Sequence, residues 1–133
     1  MEKRILLVEG DARFREVFTH ALRLALAPEQ FDVAFVEAAG SLAEAREQLR
    51  EDTLDAALID VTLPDGNGLD LVGEINNGAD NRIPTLVLAA NLDSSVAARA
   101  MASGAKGALS KVLSMPQTVE AVKRLTNAGR SEG

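Results

Sequence analysis

The sequence predicts an α/β fold: a single five-stranded parallel sheet with helices on both faces. Short aliphatic runs alternate five times with segments of helical periodicity, and only short connections separate them. Because crossover connections between parallel strands are right-handed, such an alternation predicts a parallel sheet with helices on both faces. The length of 133 residues is that of one domain. We expect this domain to occupy residues 1–127, with residues 128–133 as a tail or the start of a linker.

The first strand is the clearest of the five. Residues 5–8 (ILLV) are all aliphatic and lie between a charged segment and the cluster Glu9-Gly10-Asp11. A short apolar run without polar alternation is typical of a strand buried on both faces. The other strands are predicted at 31–38, which alternates less cleanly, at 56–59, which stops at Asp60, and at 86–88 and 108–109.

The helices are predicted from apolar periodicity and from end signals. Helix one has apolar residues at 14, 17, 18, 21, 22 and 25 and ends before Pro28. Helix two begins at a capping box, in which Ser41 accepts the N–H of Glu44 and Glu44 reaches back, and it ends near Arg50. The remaining helices are predicted at 69–76, from Asp93 or Ser94 to 104, and from Ser114 and Pro116 to 125.

The composition excludes several classes of function. There is no Cys, hence no disulfide, thiolate metal site or cysteine nucleophile. The single histidine, His20, excludes multi-His metal sites and leaves one candidate base for Ser-His-Asp catalysis; a structural or exposed role is simpler. No apolar run reaches the ~18 residues of a membrane span, and the four apolar residues before Glu9 are too few for a signal peptide.

The charge balance is acidic. With 20 acidic and 14 basic residues the chain carries a net charge of −6, whereas a DNA-binding module has the opposite bias. We therefore expect a cytoplasmic domain that by itself binds neither nucleic acid nor membrane.

In parallel α/β sheets, functional residues follow the carboxyl ends of the strands. Here these positions hold Glu9 and Asp11 after the first strand, Asp60 after the third and Lys111 after the fifth. Each has a simpler interpretation as well. Asp60 could cap the next loop, Lys111 could be solvated, and the two acids could stabilise the start of helix one through its dipole.

Three segments resemble the receiver domains of bacterial two-component response regulators. Residues 5–11 (ILLVEGD) are similar to that family's first strand and acid pocket, and residues 58–68 (LIDVTLPDGNG) to its phosphoacceptor strand. Residues 104–111 (GAKGALSK) are similar to its fifth strand and the turn before it. The resemblance runs from about residue 3 to residue 127. It implies a flavodoxin-like or receiver-like (βα)5 fold with strand order 2-1-3-4-5.

The resemblance also implies a signalling module rather than an enzyme. Asp60 takes the phosphoacceptor position and Lys111 the phosphate-pairing position. A divalent cation helps a carboxylate attack phosphorus because it neutralises the phosphoryl oxygens, and Mg²⁺ suits such a site. The implied metal residues are Glu9, Asp60 and Thr62, the last through its backbone carbonyl. The implied upstream partner is a histidine kinase or a phosphotransfer protein.

Four positions depart from the family's pattern. Gly10 stands where the family places its direct metal ligand, and a glycine has no side chain to ligate. Asp11 is the nearby acid that could substitute, but strand geometry aims it elsewhere. Ala89 and Ala108 replace the switch Ser/Thr and aromatic, and Val112 replaces the usual Pro, so no cis peptide is expected there. We therefore expect weak or absent Mg²⁺ binding and impaired phosphorylation.

The predicted helices four and five carry seven apolar residues that we expect mostly in the core: Val96, Ala97, Ala100, Met101, Val119, Val122 and Leu125. The surrounding sequence is rich in Ala and poor in charge, and Ala108 leaves a shallow spot on strand five. The resemblance implies that this face docks an output domain, a partner protein or a second copy in a homodimer.

Two alternatives to a working receiver follow from the same residues. The first is a pseudo-receiver, which uses the fold as a phosphorylation-independent interaction or dimerisation module. The second is a haloacid-dehalogenase-like phosphatase with Asp60 as nucleophile, but strand four ends without acids and the chain is short for a cap domain. A flavodoxin is excluded because no phosphate-binding loop follows strand one, and no dinucleotide or P-loop motif occurs.

Overall fold

The computed structural model describes residues 3–26, 33–51, 53–78, 83–111 and 115–128. Five parallel strands form the central sheet in the order β2-β1-β3-β4-β5. They are β1 (Lys3–Val8), β2 (Val33–Ala39), β3 (Ala56–Asp60), β4 (Thr85–Ala89) and β5 (Gly107–Ser110). The helices are α1 (Ala12–Leu26), α2 (Leu42–Glu51), α3 (Gly68–Asn77), α4 (Ser94–Ala102) and α5 (Met115–Ala128).

The sheet is buried on both faces because the strand side chains alternate between two hydrophobic layers. On β1, Leu6 and Val8 pack into a layer with residues of α2, α3 and α4, whereas Ile5 and Leu7 pack into a layer with α1 and α5. All four side chains are fully buried. This burial on both faces explains why the sequence of the strand is a continuous aliphatic run.

The predicted fold class and strand order are confirmed. The predicted strand and helix limits agree to within one or two residues where they can be compared, except at the end of helix five, which is predicted near Leu125 but continues for three more residues. Phe31 and Ser114, which were predicted to open strand two and helix five, lie outside the described residues, as does Val112. Helix α5 continues to Ala128, one residue beyond the predicted domain limit.

One detail of the predicted elements is corrected. Met101 was expected among the core residues, but it is 53% exposed because it lies on the outer face of α4. The loop after β3 contains a short antiparallel hairpin, in which residues 62–63 pair with residues 66–67. Gly66 takes a φ of +154° at the turn of this hairpin, a conformation that glycine adopts without strain.

Parallel register brings the ends of β1 and β3 to one edge of the sheet. Val8 lies opposite Ile59, so that the next residues, Glu9 and Asp60, leave the sheet side by side. On β5, Ser110 lies opposite Ala89, and Lys111 follows at the same edge. The topology therefore gathers side chains that are 51 residues or more apart in the sequence.

Candidate functional site

Glu9, Asp60 and Lys111 form a compact charged cluster at the carboxyl edge of the sheet. The Lys111 Nζ lies 2.9 Å from Glu9 Oε1 and 2.9 Å from Asp60 Oδ2. Both acids are buried, with 1% and 4% of their surface exposed. Together the three side chains carry two negative charges and one positive charge, so a net negative charge is held inside the protein.

The remaining carboxylate oxygens face backbone N–H groups. Glu9 Oε2 accepts the N–H of Asp11 at 3.0 Å, and Asp60 Oδ1 accepts the N–H of Thr62 at 3.0 Å. Burial raises the pKa of Glu9 above its ordinary value, although Lys111 and the Asp11 N–H oppose that shift. The pKa of Lys111 is raised despite its own burial, because it donates to Asp60 and Glu9.

An aromatic ring covers the lysine from α1. The Lys111 Nζ lies 4.5 Å from the centre of the Phe14 ring, which stacks on Phe18 at a centroid distance of 5.3 Å. A cation over an aromatic face is attracted to the ring quadrupole. Beside it, Arg15 Nη1 donates to the Glu9 backbone carbonyl at 2.7 Å and so joins α1 to the end of β1.

Asp11 is not part of the cluster. Its side chain is exposed, and its Oδ1 accepts the N–H of Phe14 at 3.0 Å. This is the hydrogen bond of a helix N-cap. The pKa of Asp11 is lowered chiefly by that bond. The structure therefore places Asp11 at the start of α1, which is the simpler of the two interpretations open from the sequence.

Gly10 is packed against the loop that follows β3. A Cβ atom added to Gly10 would lie 2.8 Å from Pro64 Cδ, closer than real Cβ contacts. The proline ring thus lies against the space that a side chain at residue 10 would need. A larger residue there requires the loop to shift.

Gly68 is required by another close contact in the same loop. Its N–H donates to the Val61 carbonyl at 2.7 Å, and an added Cβ would lie 1.9 Å from the Asp60 carbonyl oxygen. No side chain can be accommodated at that distance. The glycine lets the first turn of α3 pass directly over the backbone of Asp60.

The two positions predicted as the switch, Ala89 and Ala108, lie on β4 and β5. Ala89 is buried, and its carbonyl accepts the Lys111 N–H at 3.0 Å. Ala108 is partly buried and packs against the core layer that contains α4. Neither side chain has a hydroxyl or ring that could contact the carboxylates.

Within the described ranges, no group of three or more His, Asp or Glu side chains is placed to hold a metal ion. Each of the four carboxylate oxygens of Glu9 and Asp60 already faces an N–H group or the Lys111 ammonium.

His20 is exposed on α1. The described part of the chain also has no helix long and apolar enough to cross a bilayer.

Two residues of this region were not predicted as part of it. Phe14 is predicted only as an apolar residue of helix one, whereas in the structure Lys111 Nζ lies 4.5 Å from the centre of its ring. Asp65 lies in the phosphoacceptor segment without a predicted role, whereas its carboxylate accepts the N–H groups of Leu42 and Ala43 at 2.8 and 3.1 Å. Both contacts join elements that are far apart in the sequence, so no local pattern indicates them.

The chain is similar to several curated proteins. It is 27% identical to the transcriptional regulatory protein KdpE of Staphylococcus aureus, over 98% of this chain and 53% of that protein. It is 32% identical to the swarming motility regulation protein RssB of Serratia marcescens, over 90% of this chain and 51% of that protein. The DNA-binding response regulator MtrA of Mycobacterium tuberculosis is 32% identical over 92% of this chain and 50% of that protein. The chain thus spans about half the length of these relatives.

Solved structures agree with this similarity. A putative response regulator from Chloroflexus aurantiacus superposes with a TM-score of 0.84 at 26% identity, covering 96% of this chain and 99% of that one. A CheY-like receiver domain protein from Methanospirillum hungatei superposes with a TM-score of 0.85 at 20% identity, over the full length of both chains. The sequence model of the response regulator receiver domain matches residues 5–123. This chain therefore belongs to the receiver domain family of two-component response regulators.

Proposed function

We propose that this chain is a receiver module in a two-component phosphorelay, with Asp60 as the phosphoacceptor. The observation that carries the proposal is the position of the Lys111 ammonium, 2.9 Å from both Glu9 and Asp60 at the carboxyl edge of the sheet. Receiver domains are in general signalling modules rather than enzymes. We assign the same role to this chain, with a histidine kinase or a phosphotransfer protein as donor.

The proposed step is a transfer of a phosphoryl group to a carboxylate. An oxygen of Asp60 forms a bond to phosphorus while the bond between phosphorus and the donor's imidazole nitrogen breaks, and the imidazole leaves with the electron pair of that bond. Lys111, already hydrogen-bonded to Asp60 Oδ2, is placed to pair with an oxygen of the incoming group. The Thr62 N–H, which donates to Asp60 Oδ1, lies next to the carboxylate that would become the acyl phosphate.

Receiver domains in general bind Mg²⁺ at their acidic pocket. We infer that this pocket binds it weakly, which slows phosphorylation. Mg²⁺ takes oxygen ligands and keeps several waters, so it needs carboxylate oxygens that are free to face it. Here the four oxygens of Glu9 and Asp60 face N–H groups or Lys111, Gly10 supplies no ligand, and Asp11 caps α1.

The second candidate function is a pseudo-receiver that acts as an interaction or dimerisation module without phosphorylation. It is favoured by the fact that Lys111 already pairs with both buried acids, so that each carboxylate has a cationic partner without a bound metal. The absence of a hydroxyl at Ala89 and of a ring at Ala108 favours it as well.

In either case we propose that the face formed by α4, β5 and α5 is the surface that contacts the next component of the signalling pathway. This face has an open groove of about 740 Å³ between β5 and α5, with Leu86, Ala108 and Leu125 in its lining, and Met101 is exposed on α4. The relatives are twice as long as this chain, and MtrA is named as a DNA-binding protein. We therefore propose an output domain, a partner protein or a second copy as the occupant, and DNA binding as a property of such an output domain.

Intact-mass spectrometry tests the proposal. The protein is incubated with a small phosphodonor, with and without Mg²⁺, alongside the variants Asp60→Asn, Gly10→Asp and Gly10→Ala. We expect a slow gain of one phosphoryl group that Asp60→Asn abolishes. We expect a faster, Mg²⁺-dependent gain in Gly10→Asp, because the new carboxylate supplies the missing ligand.

Gly10→Ala is the matched control, since it introduces the same contact with Pro64 without a carboxylate. A gain in Gly10→Asp alone would favour the pseudo-receiver and locate the defect at the metal site. Phosphorylation that persists in Asp60→Asn would contradict the assignment of Asp60. Mass is the suitable readout because the chain has no Trp or Tyr to report by fluorescence.

A further inference from the structure

The loop between β3 and α3 connects the charged pocket to helix α2. At the pocket end, the Thr62 N–H donates to Asp60 Oδ1 at 3.0 Å, and Pro64 lies against Gly10. At the other end, Asp65 accepts two N–H groups from the first turn of α2. The loop is therefore held by the pocket at one end and by the first turn of α2 at the other.

The first turn of α2 depends on this loop for its hydrogen bonds. A helix leaves its first N–H groups without partners inside the helix. In α2, Ser41 Oγ accepts the N–H of Glu44 at 3.1 Å, but the two N–H groups before it, of Leu42 and Ala43, donate to Asp65, 23 and 22 residues away. The cap of α2 is thus shared between a local residue and a residue of the pocket loop.

Packing reinforces the same connection. A Cβ atom added to Gly66 would lie 2.6 Å from Leu42 Cδ1, so the turn of the hairpin lies directly against the first residue of α2. Leu42 and Leu63 are both buried in the same hydrophobic layer. A displacement of the loop at Thr62 must therefore be accommodated at the start of α2.

We propose that Asp65 is a positioning residue that couples the pocket to helix α2, so that a change at Asp60 is transmitted to the first turn of that helix. The route runs from Asp60 through the Thr62 N–H and the hairpin to the Asp65 carboxylate. It does not require a hydroxyl at Ala89 or a ring at Ala108. The inference rests on the proposed function in taking a change at Asp60 as the signal, but the contacts themselves are independent of phosphorylation.

Amide NMR spectroscopy on the full chain tests the coupling in both directions. In Asp65→Ala, we expect hydrogen exchange at Leu42 and Ala43 to accelerate about fivefold, the effect of losing a helix cap. We also expect the Thr62 amide proton to shift, because its bond to Asp60 is no longer held in place. In Asp60→Ala, which removes the acceptor of the Thr62 N–H, we expect exchange at Leu42 and Ala43 to accelerate as well.

Two variants separate coupling from a local effect on α2. Ser41→Ala removes a cap from the same helix without touching the loop, and it should accelerate exchange at Glu44 while leaving the Thr62 resonance in place. Asp65→Asn retains one acceptor oxygen and should restore part of the Thr62 shift. Exchange rates are compared with those of Leu71 and Val72 in α3, so that a general loss of stability is recognised.

The proposal is overturned if Asp65→Ala affects Leu42 and Ala43 but leaves Thr62 unchanged, or if Asp60→Ala leaves Leu42 and Ala43 unchanged. Asp65 would then be a helix cap alone, with the loop held by Leu63. Neither result depends on a phosphodonor, so a failure of coupling is distinct from a failure of Asp60 to accept phosphate.

Discussion

At the residue scale, the pocket is held together by one ammonium group, that of Lys111, which pairs with two buried carboxylates. Lys111 is 17% exposed at its side chain, whereas Glu9 and Asp60 are 2% and 5% exposed at theirs. Buried charges are tolerated when they are paired and hydrogen-bonded, and removal of one partner leaves the other without compensation. Lys111 thus stabilises the apo pocket in addition to the role proposed for it towards a phosphoryl group.

We expect Lys111→Met to lower the free energy of unfolding by about 3 kcal/mol, because it leaves two buried carboxylates without their cation. Urea denaturation followed by far-UV circular dichroism measures this loss. Adding Asp60→Asn to Lys111→Met should recover part of it, since one of the two charges is then removed.

The matched control is Lys106→Met, which removes an exposed lysine just before β5 and should change the free energy of unfolding by less than about 0.5 kcal/mol. Equal effects of the two lysine variants would mean that the pocket charges are solvated rather than paired.

At the scale of the elements, the helices begin where side chains satisfy their first N–H groups. Asp11 caps α1, Asn67 accepts the N–H of Leu69 at the start of α3, and Asp93 accepts that of Val96 at the start of α4. Of the two candidates from the sequence, Asp93 rather than Ser94 is the cap of α4. In α2, Ser41 caps Glu44 as predicted, but the Glu44 carboxylate reaches the N–H of the preceding Gly40.

Helix α2 is also joined to α3 by an ion pair. Arg46 donates to both carboxylate oxygens of Glu74, at 3.0 and 2.7 Å. Because both side chains are more than two-fifths exposed, this pair adds little to stability, as surface ion pairs contribute about 0–1 kcal/mol. Its effect is on orientation, since it holds α2 beside the helix that follows the pocket loop.

Two glycines of α3 test how tightly this helix is fitted to the pocket. Gly68→Ala places a Cβ against the Asp60 carbonyl, and we expect it to lower the free energy of unfolding by about 3 kcal/mol, the upper range for overpacking. Gly73 lies on the same helix with nothing within 4 Å of an added Cβ. There Ala should raise the free energy of unfolding by about 0.5–1 kcal/mol, because Gly is a poor helix former.

Thermal and urea denaturation of the two variants measure the difference directly. The comparison controls for helix propensity, since both changes are Gly to Ala within α3. A Gly68→Ala variant as stable as Gly73→Ala would contradict the close approach of α3 to Asp60.

At the scale of the whole molecule, folding changes the proton affinity of groups on both sides of neutral pH. Hydrogen bonds from backbone N–H groups lower the pKa of Asp65, and Arg46 lowers that of Glu74. Such groups contribute stability above their ordinary values of 3.8 and 4.5, and this is lost as the pH falls through the folded-state pKa. Glu9 and Lys111 have raised pKa values, so their contributions are lost as the pH rises, beyond 4.5 and 10.5 respectively.

We therefore expect the stability lost in Asp65→Asn to depend on pH. The difference in free energy of unfolding from the unsubstituted chain should be largest above pH 3.8. It should shrink as the pH falls below that value, until Asp65 is protonated in the folded state as well as in the unfolded chain. Urea denaturation at a series of pH values measures it. Ser41→Ala removes an uncharged cap from the same helix, and its difference should stay constant; a constant difference for Asp65→Asn would contradict the prediction.

The fold and the position of the pocket could be predicted from the sequence. Aliphatic runs of strand length, separated by amphipathic helices, allow little other than a parallel sheet, and parallel strands bring their carboxyl ends to one edge. Glu9, Asp60 and Lys111 each follow a strand directly, so their meeting depends on topology alone. The sequence also predicts Gly10, Ala89 and Ala108 as departures from the family's pattern, and their effect on the pocket stays a prediction.

The contacts between loops were decided by the tertiary structure. Whether Asp11 faces the pocket or caps α1, whether Phe14 covers Lys111, and whether Asp65 serves its own turn or α2 depend on how the helices pack on the sheet. A periodic pattern specifies which face of a strand or helix is buried, but not which loop atoms meet across the edge of the sheet. Pro64 reaches Gly10, and Asp65 reaches the first turn of α2, because packing sets the distance between elements that the chain itself holds many residues apart.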